Sequence, residues 1–286
     1  MAKILITGAN GQLGQSLLHA ASRFPNHHLI GFDLDRLDIA DMDAVHHAAK
    51  SFGVQMVINC AAYTNVDKAE AEPDPVYAVN KEAVRGLSTV CERLDITIIH
   101  LSTDYVFDGK SATPYTEDDK PAPLSVYGAS KLSGEAFVLS YRRGVVVRTS
   151  WLYSPYGHNF VSTILRIGNE LKEIKVVNDQ TGSPTYAPHL ADALLQIATQ
   201  IEDSSTPESL MGLYHYANSG ACTRFDFAQK IKEYAPFQAQ IVPVLSSAFP
   251  TPAHRPPYSV LETKKITKTF GIVPPPWENG LKTYLI

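Results

Sequence analysis

Apolar residues along this chain occur in two alternating patterns. Short, nearly unbroken apolar runs lie at Lys3–Thr7, His28–Phe32, Val54–Cys60, Ile96–Leu101 and Gly144–Arg148. Runs of this length and composition predict strands buried on both faces. Between them, apolar residues recur at helical spacing: Leu13, Leu17, Leu18 and Ala21, then Val45, Ala48, Ala49 and Phe52 behind Asp41, a plausible N-cap. A long helix is predicted from Val76 to Leu94, and another carries Tyr127 and Lys131. The charged stretch Asn65–Pro75 and the Pro-rich stretch Pro114–Pro123 read as loops. Strand and helix alternate without internal repeats, which predicts an α/β fold with a doubly wound parallel sheet and right-handed crossovers.

Beyond Thr149 the alternation loosens. Helices are predicted at Phe160–Leu171, Pro188–Ile201 and Arg224–Tyr234, and strands at Ile174–Val177 and Leu213–Ala217. Ser204–Ser209 is a polar loop, and from Phe249 the chain is Pro-rich. The expected division is a first domain over residues 1–150, with residues 186–217 returning to it. A smaller α/β lobe would be built from 151–185 and 218–286.

Composition narrows the function classes. The 286 residues carry 25 Lys plus Arg against 29 Asp plus Glu, a net charge of −4 with no long single-sign run. That balance provides no footprint for nucleic acid or an anionic membrane. No apolar stretch approaches the ~20 residues needed to cross a bilayer, and the apolar start at Ile4 is too short for a signal-peptide core. Cys60, Cys91 and Cys222 are odd in number and lack CxxC spacing, as expected of thiols in a reducing compartment. These features point to the cytoplasm. His46 and His47 have no accompanying ligand set, so no metal site is expected.

The candidate chemistry lies where the predicted strands end. Gly8-Ala9-Asn10-Gly11-Gln12-Leu13-Gly14 joins the first strand to the first helix, a turn in which backbone N–H groups can approach a pyrophosphate. Asp33 ends the second strand, placed to accept hydrogen bonds from an adenosine ribose. Arg36, three residues on, can instead pair with a 2′-phosphate, so NADH and NADPH both stay open. Small residues after the third strand, Ala61 and Ala62, let a cofactor lie against the backbone. Tyr127 and Lys131 are four residues apart and share one helical face. A nearby ammonium stabilises phenolate and lowers the tyrosine pKa, which predicts a phenol able to exchange its proton near neutrality.

Seven stretches carry a resemblance that runs nearly end to end: Gly8–Gly14, Asn59–Glu70, Ser102–Gly109, Val126–Glu135, Arg148–Phe160, Asn178–Thr185 and Thr251–Leu261. With them the chain resembles the extended short-chain dehydrogenases/reductases, and more narrowly the branch that reduces a dTDP-4-keto sugar in rhamnose synthesis. The resemblance implies a Rossmann fold and hydride transfer from NADPH or NADH to a sugar C4 carbonyl. Tyr127 would donate the proton, Lys131 would lower its pKa and hold the nicotinamide ribose, and Thr103 would bind the reacting carbonyl. Gly8, Asn10, Gly11, Gln12, Leu13 and Gly14 would line the cofactor, with Asp33, Asp38, Ile39, Ala61, Ala62 and Tyr63 beside them. Thr64, Asp104, Trp151, Asn159 and Arg255 would join Thr103 and Tyr127 around the dTDP-sugar, Arg255 as a diphosphate partner.

The resemblance also implies a homodimer. Some relatives bridge it with a metal ion through a glutamate just after the glycine turn. Here that position is Gln15, a poor Mg²⁺ ligand beside a carboxylate, which puts the bridge in doubt. Two other functions stay open on the sequence alone. One is a related nucleotide-sugar reductase or epimerase. The other is a non-catalytic NADP-binding regulatory subunit like the β subunit of methionine adenosyltransferase.

Overall fold

The computed structural model describes residues 2–286. Its centre is a six-stranded sheet made of β1 (Ala2–Thr7), β2 (His27–Phe32), β3 (Met56–Asn59), β4 (Thr97–Thr103), β5 (Gly144–Thr149) and the strand Gly212–His215. Every pairing in it is parallel, and the spatial order is Gly212–His215, β5, β4, β3, β1, β2. The chain leaves β1 for β2 on one side and returns to β3 on the other. That reversal opens a crevice at the carboxyl ends of β1 and β3, where doubly wound sheets bind ligands. Strands β3 and β4 are buried along their whole length, which is why they read as unbroken apolar runs.

Two apolar layers sandwich the sheet. On one face, α1 (Gln12–Ala20) and the helix Ala187–Asp203 pack over Ile4, Ile6, Ile58, Ile99 and Val147. On the other, α2 (Met42–Phe52) and the helices Val84–Leu94 and Val126–Ser140 cover Leu5, Val57, Ile98 and Val146. The cap at α2 is as predicted: the Asp41 carboxylate accepts from the Ala44 N–H. A third core joins Tyr153, Ile164, Tyr186, Phe227, Ile231 and Trp277 in the lobe, where Gln240–Val244 pairs in parallel with Glu173–Val177.

Three expectations need correction. Asn65–Pro75 is not simply loop, because Asn65 caps a short helix, Val66–Ala69, by accepting from the Lys68 N–H. The long helix begins at Pro73, not Val76, with proline in its first turn where its missing N–H costs nothing. It then passes through a π turn at Ala78–Ala83. The Pro-rich tail holds two helices, Lys264–Phe270 and Trp277–Leu285. The first of these does not join the lobe, since Ile266 and Phe270 lie in the core of the main sheet.

One buried ion pair anchors the helix Val126–Ser140 to the sheet. Arg148 on β5 donates from Nε to Glu135 Oε1 at 2.9 Å and from Nη2 to Oε2 at 2.7 Å, with both side chains 2% exposed. Ser102 on β4 donates to the same carboxylate. Across the pair, Arg148 Nη1 lies 3.4 Å from His215 Nε2, and the guanidinium covers the Phe107 ring. Replacing Glu135 with Ala strands a buried guanidinium, so the unfolding free energy should fall by roughly 3–5 kcal/mol. Urea denaturation measures this, and a midpoint close to wild type would contradict it.

Candidate active site

The glycine turn is shaped for a close approach. Gly8 has φ +65°, and a Cβ there would sit 2.7 Å from the Ala61 N atom. A Cβ at Gly14 would come within 2.4 Å of the Gly8 carbonyl oxygen. Backbone therefore packs on backbone where β1 and β3 end. No side chain caps the start of α1, and its first-turn N–H groups face the crevice as anion donors. Asp33 steadies this turn, its carboxylate accepting from the Asn10 N–H at 2.7 Å and the Leu34 N–H at 2.8 Å. Arg36 stacks its guanidinium on the Phe32 ring, 4.6 Å from the centroid, and does not line the crevice.

The crevice widens into a cleft of about 930 Å³ along the carboxyl edge of the sheet. Gly8, Asn10, Gly11, Gln12, Leu13 and Gly14 line it, as do Asp33, Asp38, Ile39, Ala61, Ala62 and Tyr63. Thr64, Thr103, Asp104, Tyr127, Lys131 and Trp151 line it as well. A dinucleotide suits this edge: the glycine cradle would be filled by any Cβ, and the donors offered are backbone N–H groups.

Two residues named from the resemblance stand elsewhere. Asn159 is the N-cap of the helix Phe160–Glu170, its Oδ1 accepting from the Ser162 N–H and its Nδ2 donating to the Ser154 carbonyl. Both ends of its amide are occupied. Arg255 spans Asp67, with Nη1 to Oδ1 at 3.0 Å and Nη2 to Oδ2 at 2.7 Å. Arg255 itself does not line the cleft, although Tyr105 and Arg224, which do, are its neighbours.

The cation that does line the cleft is Arg224, at the first position of the helix Arg224–Tyr234. Its guanidinium lies 3.5 Å from the Trp151 ring centroid and makes no ion pair among the described residues. Trp151 is itself held in a left-handed conformation, φ +45°, against Gly182, where a Cβ would strike the indole at 2.5 Å. A cation at a helix N-terminus opposes the helix dipole. That local conflict was the one sequence signal for Arg224, and it went unread. Asn80, also missed, lies in the π turn. Its Oδ1 accepts from the Tyr63 N–H, and its Nδ2 donates to the Tyr63 carbonyl and to Ser130 Oγ. It thereby ties the cofactor edge to the Tyr127 helix.

Ser125 caps that helix by accepting from the Gly128 N–H, and the helix presents Tyr127 and then Lys131 to the cleft. The electrostatics differ from the simple Tyr–Lys expectation. Burial pushes the Tyr127 hydroxyl above its ordinary value, Asp104 and Tyr105 add to the rise, and the neighbouring Thr103 hydroxyl opposes it. Lys131 does not lower it, because its Nζ donates to the Leu101 carbonyl at 2.6 Å and lies 3.3 Å from His100 Nε2. Burial brings Lys131 itself down to about 8, partly offset by Glu135 and Cys60. Thr103 Oγ1 donates to Asp104 Oδ1 at 3.1 Å. Asp104 is 2% exposed with Oδ2 unpartnered, and burial raises its carboxyl to about 6 against the opposing influence of the Ser259 and Thr103 hydroxyls and of Arg224.

A doubly wound sheet with a glycine turn at its switch point and a Tyr–Lys pair at the same edge defines a nicotinamide-dependent oxidoreductase of the short-chain dehydrogenase/reductase type. The chain belongs to the family described as RmlD substrate binding domain, whose model matches residues 2–286. It is 39% identical to a dTDP-4-dehydrorhamnose reductase of Aggregatibacter actinomycetemcomitans, over 99% of this chain and 98% of that protein. A crystal structure of a dTDP-4-dehydrorhamnose reductase from Clostridium acetobutylicum superposes with a TM-score of 0.92 at 38% identity, covering 99% of this chain and 98% of that one. The corresponding protein of Bacillus anthracis, in complex with NADP, gives 0.91 at 39% identity over 99% of each chain.

The buried carboxyl of Asp104 makes a stability prediction. Its folded pKa, about 6, exceeds the ordinary aspartate value of 3.8, so the folded state binds more protons between those values and loses stability as pH rises through them. Asp104→Asn should therefore raise the unfolding free energy at pH 7, by up to about 3 kcal/mol. It should also flatten the wild-type decline between roughly pH 4 and 6. Parallel denaturation curves for the two proteins across that range would contradict the assignment.

Proposed function

We propose that the chain reduces the C4 keto group of dTDP-4-dehydro-L-rhamnose to give dTDP-L-rhamnose, using NADPH or NADH, in the cytoplasm. What carries the reading is the meeting of Tyr127 and Thr103 with Trp151 and Arg224 around one cleft. Relatives at this level of identity, named as reductases of that sugar, support it. The cofactor domain in this reading is residues 2–150 with 186–217 and the helix Lys264–Phe270, and the lobe brings Trp151 and Arg224 to the sugar nucleotide.

The bound dinucleotide supplies the hydride, and the chain's own side chains do the rest. As negative charge grows on the C4 oxygen, Thr103 Oγ1 and Tyr127 Oη hydrogen-bond it, and Tyr127 gives up its Oη proton. The raised proton affinity of Tyr127 keeps the phenol protonated until that charge develops. Arg224, unpaired and flat against the indole, matches a diphosphate through its planar fork of donors. Trp151 supplies the apolar wall beside it. The intact set of Thr103, Tyr127 and Lys131 favours an enzyme over a regulatory subunit. The Asp33 carboxylate at the adenosine end suits a ribose hydroxyl, which supports use of NADH alongside NADPH.

With substrate generated in situ from dTDP-glucose, NADPH oxidation should require this protein and yield dTDP-L-rhamnose. Tyr127→Phe should lower turnover about 10²-fold or more while still binding NADPH. Near-normal turnover would remove Tyr127 as the acid. Arg224→Met should raise KM for the sugar nucleotide about tenfold or more, the worth of a charge-assisted hydrogen bond, and leave NADPH affinity intact. An unchanged KM would place the diphosphate elsewhere.

A further inference from the structure

The helix that presents Tyr127 starts from a segment poor in donors of its own. Pro121 and Pro123 have no N–H, and the Ala122 N–H is spent on the Val106 carbonyl at 2.9 Å. The N–H groups of Val126, Tyr127 and Gly128 come before the first intrahelical bond, from Ala129 to the Ser125 carbonyl. Such groups need partners from outside the helical ladder. Ser125 supplies one, accepting from Gly128. The partner of Val126 comes from 56 residues earlier, where Glu70 Oε1 accepts its N–H at 2.8 Å. Gly128 also fits directly against the loop after β4, since a Cβ there would lie 2.2 Å from the Tyr105 carbonyl oxygen. Tyr127 thus stands between two residues that are each fixed to another element.

Glu70 is not engaged elsewhere. Lys68, the cation two residues before it, pairs with Glu72, and Glu70 enters no ion pair among the described residues. It follows the short helix Val66–Ala69 as its C-cap, and that helix is firmly held. Asn65 caps its start, Thr64 and Val66 line the cleft there, and Asp67 grips Arg255 through two hydrogen bonds. The segment is therefore a bracket that begins at the cleft edge after β3 and ends on the helix bearing Tyr127.

We propose that Glu70 is a positioning residue for Tyr127, its carboxylate fixing the start of the helix Val126–Ser140 relative to the cleft edge after β3. Glu70 does not line the cleft and acts only through the Val126 N–H. The pair of Glu135 with Arg148 holds the same helix two turns beyond Tyr127. One anchor leaves the helix free to tilt, and the second fixes the reach of the Tyr127 hydroxyl. This role asks for an acceptor oxygen at the end of a side chain of the right length, and not for a charge. The inference rests on the reading of Tyr127 as the proton donor.

The test compares Glu70→Gln, Glu70→Asp and Glu70→Ala in the full chain. Glu70→Gln keeps both reach and acceptor, so kcat should stay within about twofold of wild type. Glu70→Asp keeps the charge but is one methylene short, and Glu70→Ala lacks the acceptor altogether. Each of these two should lower kcat about tenfold or more with KM and NADPH affinity unchanged, the signature of a group displaced in the transition state alone. A second arm needs no turnover: NMR of the chain labelled with carbon-13 at tyrosine Cζ, with the Tyr127 signal assigned by its loss in Tyr127→Phe. That signal should move in Glu70→Asp and Glu70→Ala and stay in place in Glu70→Gln, while the signal of Tyr153 in the lobe core stays fixed throughout. If the substrate reading is wrong, the wild-type chain turns over nothing and the Tyr127 signal still moves. A Tyr127 signal or a kcat unmoved in folded Glu70→Asp would overturn the proposal, and that variant decides where Glu70→Ala fails to fold. A Glu70→Gln variant as impaired as Glu70→Asp would also overturn it.

Discussion

The arrangement rests on the buried pair between Glu135 and Arg148. It joins the helix Val126–Ser140 to β5 through two charge-assisted hydrogen bonds with both partners out of water. Ser102 extends it to β4, and His215 extends it to the last strand of the sheet. His215 in turn reaches the carbonyl of Tyr115, so the loop after β4 is tied to the same centre. A buried pair of this kind contributes little net stability over an apolar substitute, but breaking it is costly. Its consequence here is positional: Tyr127 and Lys131 lie two turns and one turn before Glu135 on the same helix, and their reach into the cleft follows from where that carboxylate is held. Gly134 serves the same end, since a Cβ there would meet the Asn80 carbonyl oxygen at 2.3 Å.

Burial then sets the chemistry. The same desolvation acts on four neighbours in opposite senses, raising Tyr127 and Asp104 and lowering Lys131 and His100. Each shift disfavours the charged form, as a low-dielectric site must. The result is a set of groups biased toward their neutral forms, with Asp104 brought to about 6 and Lys131 to about 8. The expected lowering of Tyr127 by an adjacent ammonium is absent because Lys131 turns to Leu101 and His100 instead.

Much of the fold was legible because parallel strands buried on both faces leave nearly unbroken apolar runs, as β1, β3, β4 and β5 do; β2, at the sheet edge, is mostly half-buried. The turn Gly8–Gly14 was legible because only glycine permits its backbone contacts. Short elements with polar surfaces were not. Asn65–Pro75 looked like loop because Val66–Ala69 is a single turn stabilised by a cap, and the helices beyond Phe249 are masked by the prolines that bound them. Among site residues, those adjacent in sequence to a strand end were readable. Arg224 was not, since its approach to Trp151 depends on how the lobe folds over the sheet. The pairing of Arg255 with Asp67 is likewise a long-range contact that no local pattern reveals. His100 sat in an apolar run as one more strand residue, and only the register of β1, β3 and β4 lines it up with Thr7, Asn59 and Lys131.

In the proposed reaction this cleft directs a hydride to the C4 carbon of a dTDP-4-keto sugar while Tyr127 protonates its oxygen. The most direct measurement uses NADPH deuterated at the transferable position of the nicotinamide, with proton and deuterium NMR of the isolated product. The account predicts dTDP-L-rhamnose carrying deuterium at C4 alone, formed by the wild-type chain and nearly lost in Tyr127→Phe. Deuterium at another carbon, or oxidation of NADPH with no label in the sugar, would contradict it.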